Sequence, residues 1–223
     1  MKNQEVTIKT IEHATHDVLH IVVDKPDGVS FEPGQATEIF VDKLGWENEG
    51  RPFTFTCLPE DNYLEFMIKT YPSRKGVTNE LLSLKAGDHL IINDIFGAIA
   101  YKDEGTFIAG GAGITPFIAI LRNLKAHGKL GNNKLVFANK TKADIILEKE
   151  LRAMLGHNFI NILSDEEVDG IAHGHITESF LKTCGLAFDK TFYICGPPPM
   201  MEAVEGMLTN LNVKKEQFVE EEF

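Results

Sequence analysis

The sequence predicts an N-terminal β-barrel followed by a Rossmann-like parallel α/β domain. Up to about residue 100, short segments of alternating hydrophobicity are separated by turn signals such as PDG at 26–28, a pattern typical of a small barrel. From residue 106 onward, apolar strand segments alternate with helical segments, as in a parallel sheet that binds ligands at the carboxyl ends of its strands. Because KDEG at 102–105 is polar and turn-like, we predict domains at residues 1–102 and 103–223.

The individual elements follow from the same patterns. The first half is predicted to contain a helix at 77–83 and short strands at 6–11, 19–23, 36–41, 53–57, 64–69 and 89–93. The second half is predicted to contain strands at 106–109, 135–138, 159–163 and 191–195, and helices at 117–127, 145–155, 176–183 and 200–211. Thr78 is a good N-cap for the predicted helix at 77–83, and Gly128 is a natural stop for the predicted helix at 117–127.

Composition and charge narrow the class of protein. The 223 residues carry a net charge of −11, which disfavours nucleic-acid binding because such proteins usually have a basic surplus. No apolar run approaches the ~20 residues of a membrane span, and the N-terminus lacks the apolar core of a secretory signal, so we expect a cytoplasmic protein. Three widely separated cysteines argue against a disulfide framework and against an internal iron–sulfur cluster, and the histidine spacing indicates no metal site.

The first string of residues that could take part in binding or catalysis is Arg51-Pro52-Phe53-Thr54. An arginine can bind a phosphate through its forked donors, a threonine hydroxyl can reach a ring nitrogen, and an aromatic side chain between them can cover a flat ligand. Taken alone, the string is explained more simply by an exposed arginine beside a proline and two core residues. Its meaning therefore depends on the other motifs.

A glycine-containing loop, KTYPSRKGVT at 69–78, leads into the first predicted helix. The backbone N–H groups at a helix N-terminus form a ready anion site. Capping of the helix by Thr78 is the structural alternative, and the two are compatible because a capping hydroxyl can also face a phosphate.

Two further turns each follow a strand and open a helix in the second half. GGAGITP at 110–116 has glycines that allow a ligand to approach the backbone closely, and Pro116 suits a first helical turn. CGPPPMM at 195–201 is the most unusual string of the chain, because three prolines stiffen the end of the strand. Both turns should lie at the carboxyl edge of the parallel sheet, where a nucleotide would bind.

Together, and in this order, the motifs resemble those of the ferredoxin–NADP reductase superfamily of flavodoxin/ferredoxin reductase-like FAD-binding oxidoreductases. The strings at 51–54, 76–78, 110–116 and 195–201 are similar to its RxYS/T, GxxS/T, GGxGxxP and CGPxxM motifs. The resemblance covers nearly the whole chain and implies an antiparallel six-stranded β-barrel flavin domain before the nucleotide domain. Two departures stand out: Phe53 replaces the usual tyrosine, and DIFG at 94–97 has Asp and Ile in place of the first residues of the family's GPxG-type turn.

The resemblance also implies roles for single residues. Thr54 at the reactive edge of the flavin and Cys195 in the nicotinamide pocket would be the catalytic residues. The residues implied in cofactor binding are Arg51, Pro52, Phe53, Thr54, Ile68, Lys69, Gly76, Val77, Thr78, Gly111, Gly113, Thr115, Asn139, Lys140, Cys195, Gly196, Pro197, Met200 and Phe223.

The implied function is that of an FAD-dependent oxidoreductase that takes hydride from NAD(P)H and passes electrons to a separate acceptor, such as the small redox proteins ferredoxin and flavodoxin. The expected cofactors are FAD, with FMN as the alternative flavin, and NADH or NADPH; ANKTKADI at 138–145 resembles the NADH-using cytochrome reductases and favours NADH. Two other functions stay open. One is a free-flavin or ferric reductase, and the other is a non-catalytic electron-transfer subunit of a larger complex.

Overall fold

The computed structural model describes residues 3–46 and 48–220, which divide into two compact units. The first unit consists of the described residues up to Ala100 together with Thr115–Asn123. The second consists of Tyr101–Ile114 and the described residues from Leu124 onward. A segment that lies within the predicted nucleotide domain therefore packs with the first unit.

The first unit is built on an antiparallel sheet of six strands. These are β1 (Gln4–Thr15), β2 (Val18–Asp24), β3 (Ala36–Val41), β4 (Arg51–Thr54), β5 (Tyr63–Lys69) and β6 (His89–Phe96). Their order across the sheet is β4-β3-β6-β1-β2-β5. The chain just beyond β4 joins the two ends, because the N–H of Thr56 donates to the carbonyl of Glu65 in β5 at 2.9 Å.

The end of β4 differs from the predicted strand at 53–57, and the change of hydrogen-bond partner explains why. β4 pairs with β3 from Arg51 to Thr54, and the N–H of Phe55 still donates to Gln35. One residue later the chain bonds to β5 instead. The predicted strand at 53–57 therefore pairs first with β3 and then, from Thr56, with β5.

Alternating side chains of the six strands form the core of the first unit. Ile8, Ile21, Ile39 and Leu90 are at most 1% exposed. The ring of Phe55 stacks on that of Phe31 at 4.2 Å between centroids. This packing confirms the predicted barrel-type alternation of buried and exposed positions.

The predicted helix at 77–83 consists of α1 (Val77–Glu80) followed by a 3₁₀ turn at Leu81–Ser83. Its N-cap is Gly76, so the prediction that Thr78 is the N-cap is wrong. Val77 and Leu81 are the buried residues of this segment. Gly76 has an extended backbone, so the helical conformation begins at Val77 and Thr78 becomes the second residue of the helix.

The second unit contains a parallel sheet in the order β10-β9-β8-β7-β11-β12. Its strands are β7 (Gly105–Gly110), β8 (Lys134–Asn139), β9 (Phe159–Leu163), β10 (Ala172–His173), β11 (Thr191–Cys195) and β12 (Phe218–Glu220). The helices that follow its strands are α2 (Thr115–Ala126), α3 (Glu148–Leu155), α4 (Glu178–Thr183) and α5 (Pro198–Asn210). The predicted Rossmann-like α/β domain is confirmed.

Three details of the second half of the chain bear on the predicted elements. α3 begins at Glu148 rather than at 145, because its N-cap Leu147 has a left-handed backbone with φ +52, and a separate 3₁₀ turn covers Lys142–Asp144. β10 and β12 were not predicted, since runs of two and three residues are too short to show a period. Gly128, with φ +64, does follow the end of α2 as expected.

Tyr193 holds the segment at the predicted domain boundary. Its buried hydroxyl donates to the carbonyl of Asp103 at 2.7 Å and accepts from the N–H groups of Lys102 and Asp103. Its ring stacks on Phe107 at 4.4 Å between centroids. Among the described residues, none of the helices has both the length and the apolar character needed to span a membrane.

Candidate functional site

The predicted flavin strand β4 presents its residues to two different environments. Arg51 is half exposed, with one guanidinium nitrogen donating to the carbonyl of Gly50 at 2.6 Å and another lying 3.4 Å from the Glu49 carboxylate. A guanidinium has five N–H donors, so these contacts leave room for a phosphate as well. Thr54, at the other end of the strand, is only 6% exposed. Pro52 is exposed and Phe53 half-buried between them.

The loop before α1 is open on the side where a phosphate is expected. A Cβ atom built on Gly76 would meet no atom of the described residues within 4 Å, and the first N–H groups of a helix have no partner within the helix. Thr78 is half-buried beside them and Val77 is buried. The N–H of Gly76 itself donates to the carbonyl of Arg74 at 2.8 Å, so an anion beside Gly76 would be bound by the N–H groups that follow it.

Two of the predicted flavin contacts are engaged elsewhere in the first unit. Ile68 is 1% exposed and belongs to the hydrophobic core, so its side chain is committed to packing. The ammonium of Lys69 lies 2.6 Å from the carboxylate of Asp17. Any contact from these residues to a ligand would come mainly from their main chain.

The structure brings the glycine turn and the proline turn of the second unit together. β7 and β11 are adjacent, with Ala109 opposite Cys195, so both turns lie at the carboxyl edge of the sheet. A Cβ on Gly113 would collide with the carbonyl of Cys195, and a Cβ on Gly110 would collide with the thioether of Met200. Only glycine permits this close approach.

One side of this paired turn is packed and the other is open. Gly196 also lies against Met200, and a Cβ on it would come 2.9 Å from the terminal methyl of that side chain. Gly111, in contrast, has φ +51, and a Cβ on it would meet no described atom within 4 Å beyond its own residue and its two chain neighbours. Pro197 is the N-cap of α5 and is exposed. The backbone of Gly111 is therefore open to a nucleotide phosphate, while Met200 packs against the other side of the paired turn.

Cys195 is a buried cysteine, 2% exposed, at the last position of β11. It ends the strand at the edge where the two turns meet. Thr115, the first residue of α2, is 8% exposed and belongs to the first unit.

Asn139 ends β8 at the same edge of the sheet. It is 9% exposed, and within the described part of the chain neither its amide nitrogen nor its amide oxygen has a hydrogen-bond partner. A buried amide without partners costs roughly 1–3 kcal/mol, so a ligand or water that bonds to it would be favoured. Lys140, the next residue, is exposed. Both positions fit the nucleotide contact that the sequence predicted for them.

A second buried amide, Asn161, was missed by the sequence analysis. It lies in β9 opposite Phe137, is 5% exposed, and likewise lacks a partner among the described residues. The signal that could have found it is a lone polar residue inside the apolar run FINIL.

The sequence analysis also missed a buried ionic cluster in the first unit. Glu65 accepts from the Thr56 hydroxyl at 2.7 Å and from the Arg122 guanidinium at 2.6 Å, and His20 lies 3.2 Å away. Burial by itself would raise the pKa of Glu65, but the hydrogen bond from His20, the charge of Arg122 and the remaining donors lower it to about 2. The bond to Glu65 raises the pKa of His20. Charged residues within apolar strand and helix patterns were the available signal.

Comparison with known protein families identifies the family of each half of the chain. Residues 3–99 match the family model of an FAD-binding domain, and residues 107–206 match that of the oxidoreductase NAD-binding domain. The chain belongs to the ferredoxin reductase-like superfamily of FAD-binding oxidoreductases. This membership confirms the predicted family, the expected oxidoreductase class, and the expected use of FAD and NAD(P)H.

Curated relatives of this FAD-binding oxidoreductase include reductases of two kinds. NADH-cytochrome b5 reductase 2 of Mycosarcoma maydis is 29% identical over 91% of the chain and 64% of the relative. The reductase component of propane 2-monooxygenase from Mycolicibacterium goodii is 27% identical over 97% of the chain and 66% of the relative. The chain thus spans about two thirds of the length of these relatives.

Solved structures agree with the fold of the oxidoreductase. The flavohem-like FAD/NAD-binding domain of nitric oxide dioxygenase from Vibrio cholerae O1 biovar El Tor superposes with a TM-score of 0.89 at 22% identity, covering 99% of the chain and 98% of that domain. The CS-b5R domains of human Ncb5or, in an NAD+ form, superpose with a TM-score of 0.83 at 26% identity over 98% of the chain and 69% of that structure. The predicted two-domain fold is confirmed.

The roles of single residues stay predictions. Phe223, which the resemblance places at the flavin, lies outside the described residues. The structure brings Gly111, Gly113, Cys195, Gly196 and Met200 to one edge of the second unit. It keeps the strand at 51–54 and the loop at 76–78 within the first.

Proposed function

We propose that this protein takes hydride from NAD(P)H onto bound FAD and passes the electrons to a separate acceptor. The observation that carries the proposal is the glycine-only contact between the turn at 110–113 and the backbone of Cys195 and Gly196, which forms a rigid nucleotide edge in an NAD-binding domain. When bound, FAD supplies the chemistry that connects a two-electron donor to a one-electron acceptor. The protein binds, orients and shields the reacting groups.

The first unit is proposed to hold the flavin. Arg51 donates to a flavin phosphate, and the pyrophosphate lies in the open space beside Gly76, where the main chain of Val77 and the hydroxyl of Thr78 bind it. Thr54, nearly buried at the end of β4, holds its hydroxyl toward the reactive edge of the ring. The exposed fork of Arg51 and the open space beside Gly76 support these assignments.

The second unit is proposed to hold the nicotinamide nucleotide. The main chain of Gly111 and Gly113 binds phosphate, Asn139 and Lys140 contact the adenosine end, and Cys195 with Gly196 and Pro197 shapes the nicotinamide pocket. The amide of Asn139, for which the described chain offers no partner, supports the adenosine contact. We propose NADH as the preferred donor, in line with the relatives named as NADH-cytochrome b5 reductases.

We further propose that residues 1–102 form the FAD-binding domain and 103–223 the NAD(P)-binding domain. The two family matches, at 3–99 and 107–206, support this division. The packing of Thr115–Asn123 with the first unit is a departure from it, since this segment follows the nucleotide turn in sequence.

The acceptor is proposed to be a small redox protein. Relatives named as the reductase component of propane 2-monooxygenase and the electron transfer component of 2-halobenzoate 1,2-dioxygenase support an acceptor that is a separate protein. Ferredoxin and flavodoxin are the acceptors to test first.

The decisive experiment is purification followed by gel filtration and an absorbance spectrum. We expect a yellow protein that retains FAD and reduces ferricyanide with NADH. Flavin lost on the column but used as a substrate would favour a free-flavin or ferric reductase. Retained FAD without NAD(P)H turnover would favour a non-catalytic subunit, and a colourless protein that binds no added flavin would refute the proposal.

A further inference from the structure

A buried ionic cluster joins three elements of the first unit. Glu65 of β5 is 6% exposed and is bonded to Arg122 of α2 at 2.6 Å. The same guanidinium nitrogen donates to the main-chain carbonyl of Thr56 at 2.8 Å, and the Thr56 hydroxyl donates to Glu65 at 2.7 Å. The three residues thus form a closed set of hydrogen bonds between β5, α2 and the chain just beyond β4.

The cluster lies a short distance along the chain from two predicted site residues. Thr56 follows Thr54 by two residues. Arg122 follows Thr115 by seven residues, which is about two helical turns, or roughly 10 Å, along the same face of α2. Thr115 and Arg122 belong to the same compact unit as β4. A rigid link at Arg122 therefore sets where the first residue of α2 lies relative to the end of β4.

Stability alone does not account well for such a cluster. Replacement of a buried ion pair by apolar residues is often neutral or stabilising, whereas removal of one partner is costly. What the pair does provide is geometry, because one guanidinium nitrogen must satisfy two acceptors on different elements at once. A shift of α2 by about an ångström would stretch both bonds, and displacement of that size can cost about 100-fold in the rate of a positioned reaction.

We propose that Arg122 and Glu65 are positioning residues for hydride transfer: by anchoring α2 to Thr56 and β5, they fix the first turn of α2, which contains Thr115, relative to the end of β4. The proposal rests on the proposed function and on the cofactor-binding role that the family resemblance implies for Thr115. Neither residue contacts a cofactor in this role. His20 lies between two carboxylates, 3.2 Å from Glu65 and 3.3 Å from Glu12.

The test compares single and double variants in stopped-flow reduction of bound FAD by NADH. We expect Arg122→Met to lower the limiting rate of flavin reduction at least about tenfold, with FAD content and the apparent Kd for NADH changed less than about threefold. Arg122→Lys, which keeps the charge, should recover part of the rate. Arg152→Met is the matched control, because Arg152 also donates to a main-chain carbonyl, that of Phe159 at 3.2 Å, but within the second unit.

The double variant Arg122→Met with Glu65→Gln tests whether the two residues position α2 for the reaction or only stabilise the fold. It removes both charges of the pair while the new amide keeps an oxygen for the Thr56 hydroxyl, so the melting temperature should return toward that of the wild type. The proposal requires the rate to stay at least about tenfold low. Recovery of rate together with stability, or an unchanged rate in Arg122→Met, would overturn it while leaving the proposed function intact. A wild-type protein that is reduced by neither NADH nor NADPH would overturn both.

Discussion

Arg51 is the side chain on which the proposed flavin phosphate contact depends. Its guanidinium is half exposed and already oriented by the carbonyl of Gly50, with Glu49 nearby. Orientation by a neighbouring carbonyl reduces the entropy lost when a phosphate binds, because the fork is held in advance.

The change Arg51→Ala should weaken FAD retention by about tenfold to a hundredfold, since a charge-assisted hydrogen bond is worth roughly 1.5–3 kcal/mol. The measurement is the Kd for FAD by fluorescence quenching of the apoprotein. Lys102→Ala is the control, because that side chain is exposed and its main-chain N–H, which donates to Tyr193, is unaffected by the change. Equal affinity in the two variants would rule out Arg51 as a phosphate ligand.

Gly113 shows how a missing side chain can matter as much as a present one. A Cβ at this position would overlap the carbonyl of Cys195, which is backbone and cannot rotate away. Gly206, on an exposed part of α5, has no described atom within 4 Å of its Cβ position.

We therefore expect opposite outcomes for the same substitution. Gly113→Ala should lower the melting temperature and weaken NADH binding, because β11 must move away from the turn. Gly206→Ala should stabilise by about 0.5–1 kcal/mol, as expected for a glycine replaced within a helix. Thermal unfolding and NADH titration of both variants test this, and a neutral Gly113→Ala would show that the two turns are not in close contact.

A substitution of Cys195 can distinguish a role in packing from a role in hydride transfer. It is nearly fully buried at the end of β11, where a small apolar residue would pack equally well. Cys195→Ala should therefore leave the melting temperature within a few degrees while slowing flavin reduction by NADH in stopped-flow mixing. Cys184→Ala, at a half-buried cysteine that ends α4, is the control. An unchanged rate in Cys195→Ala would make it a core residue only.

At the scale of elements, the contact between β5 and α2 gives the protein a defined pH dependence. Glu65 has its pKa lowered from 4.5 to about 2, so it stabilises the fold above pH ~4.5 and this contribution is lost as the pH falls toward 2. His20 has a pKa raised from 6.5, so its contribution is present below pH ~6.5 and is lost as the pH rises through its folded-state value. The cluster should thus stabilise most between these limits.

The change Glu65→Gln should flatten the acid side of the stability profile. In the wild type, the free energy of unfolding attributable to Glu65 should fall by on the order of 3 kcal/mol between about pH 5 and pH 2. Urea unfolding at stepped pH measures it, with the exposed Glu60→Gln as control. Parallel profiles for the wild type and Glu65→Gln would show that Glu65 is not held ionised by its partners.

The elements predicted from sequence differ from the observed ones mainly at their ends. β3, β9 and β11 have the predicted bounds because each is an apolar run closed by polar or turn residues. The end of β4 and the start of α3 could not be predicted, since the first depends on an exchange of partner strand and the second on the left-handed backbone of Leu147.

At the scale of the whole molecule, charge is expected to govern the choice of acceptor. The chain carries a net charge of −11, and an acidic redox protein would be repelled unless it meets a local basic surface. Lys69 and Arg74 are two cations that could contribute to such a surface. Lys69 is already paired with Asp17, whereas Arg74 stacks over Tyr71 on the exposed loop before α1.

We expect electron transfer to acidic acceptors to become faster as ionic strength rises from about 10 to 300 mM, because salt screens the repulsion over a Debye length of ~10 Å at 0.1 M. The measurement is steady-state reduction of ferredoxin, flavodoxin and cytochrome acceptors with NADH and with NADPH. Ferricyanide, a small anion with no docking surface, separates general charge repulsion from protein docking. A rate to the acidic proteins that falls with salt would point instead to a basic docking surface.

Local sequence determined the two-part architecture and the positions of the nucleotide turns. Hydrophobic period, glycine and proline act within a few residues, so strands, helices and turns could be recognised without knowing their neighbours.

Tertiary structure decided which distant residues meet. The contact of Gly113 with Cys195 depends on β7 lying beside β11, and Arg122 reaches Glu65 across 57 residues of sequence. The amides of Asn139 and Asn161, which lack partners among the described residues, became visible only once burial was known. The physical reason is that close packing and the desolvation of charge are properties of neighbours in space, which chain order does not record.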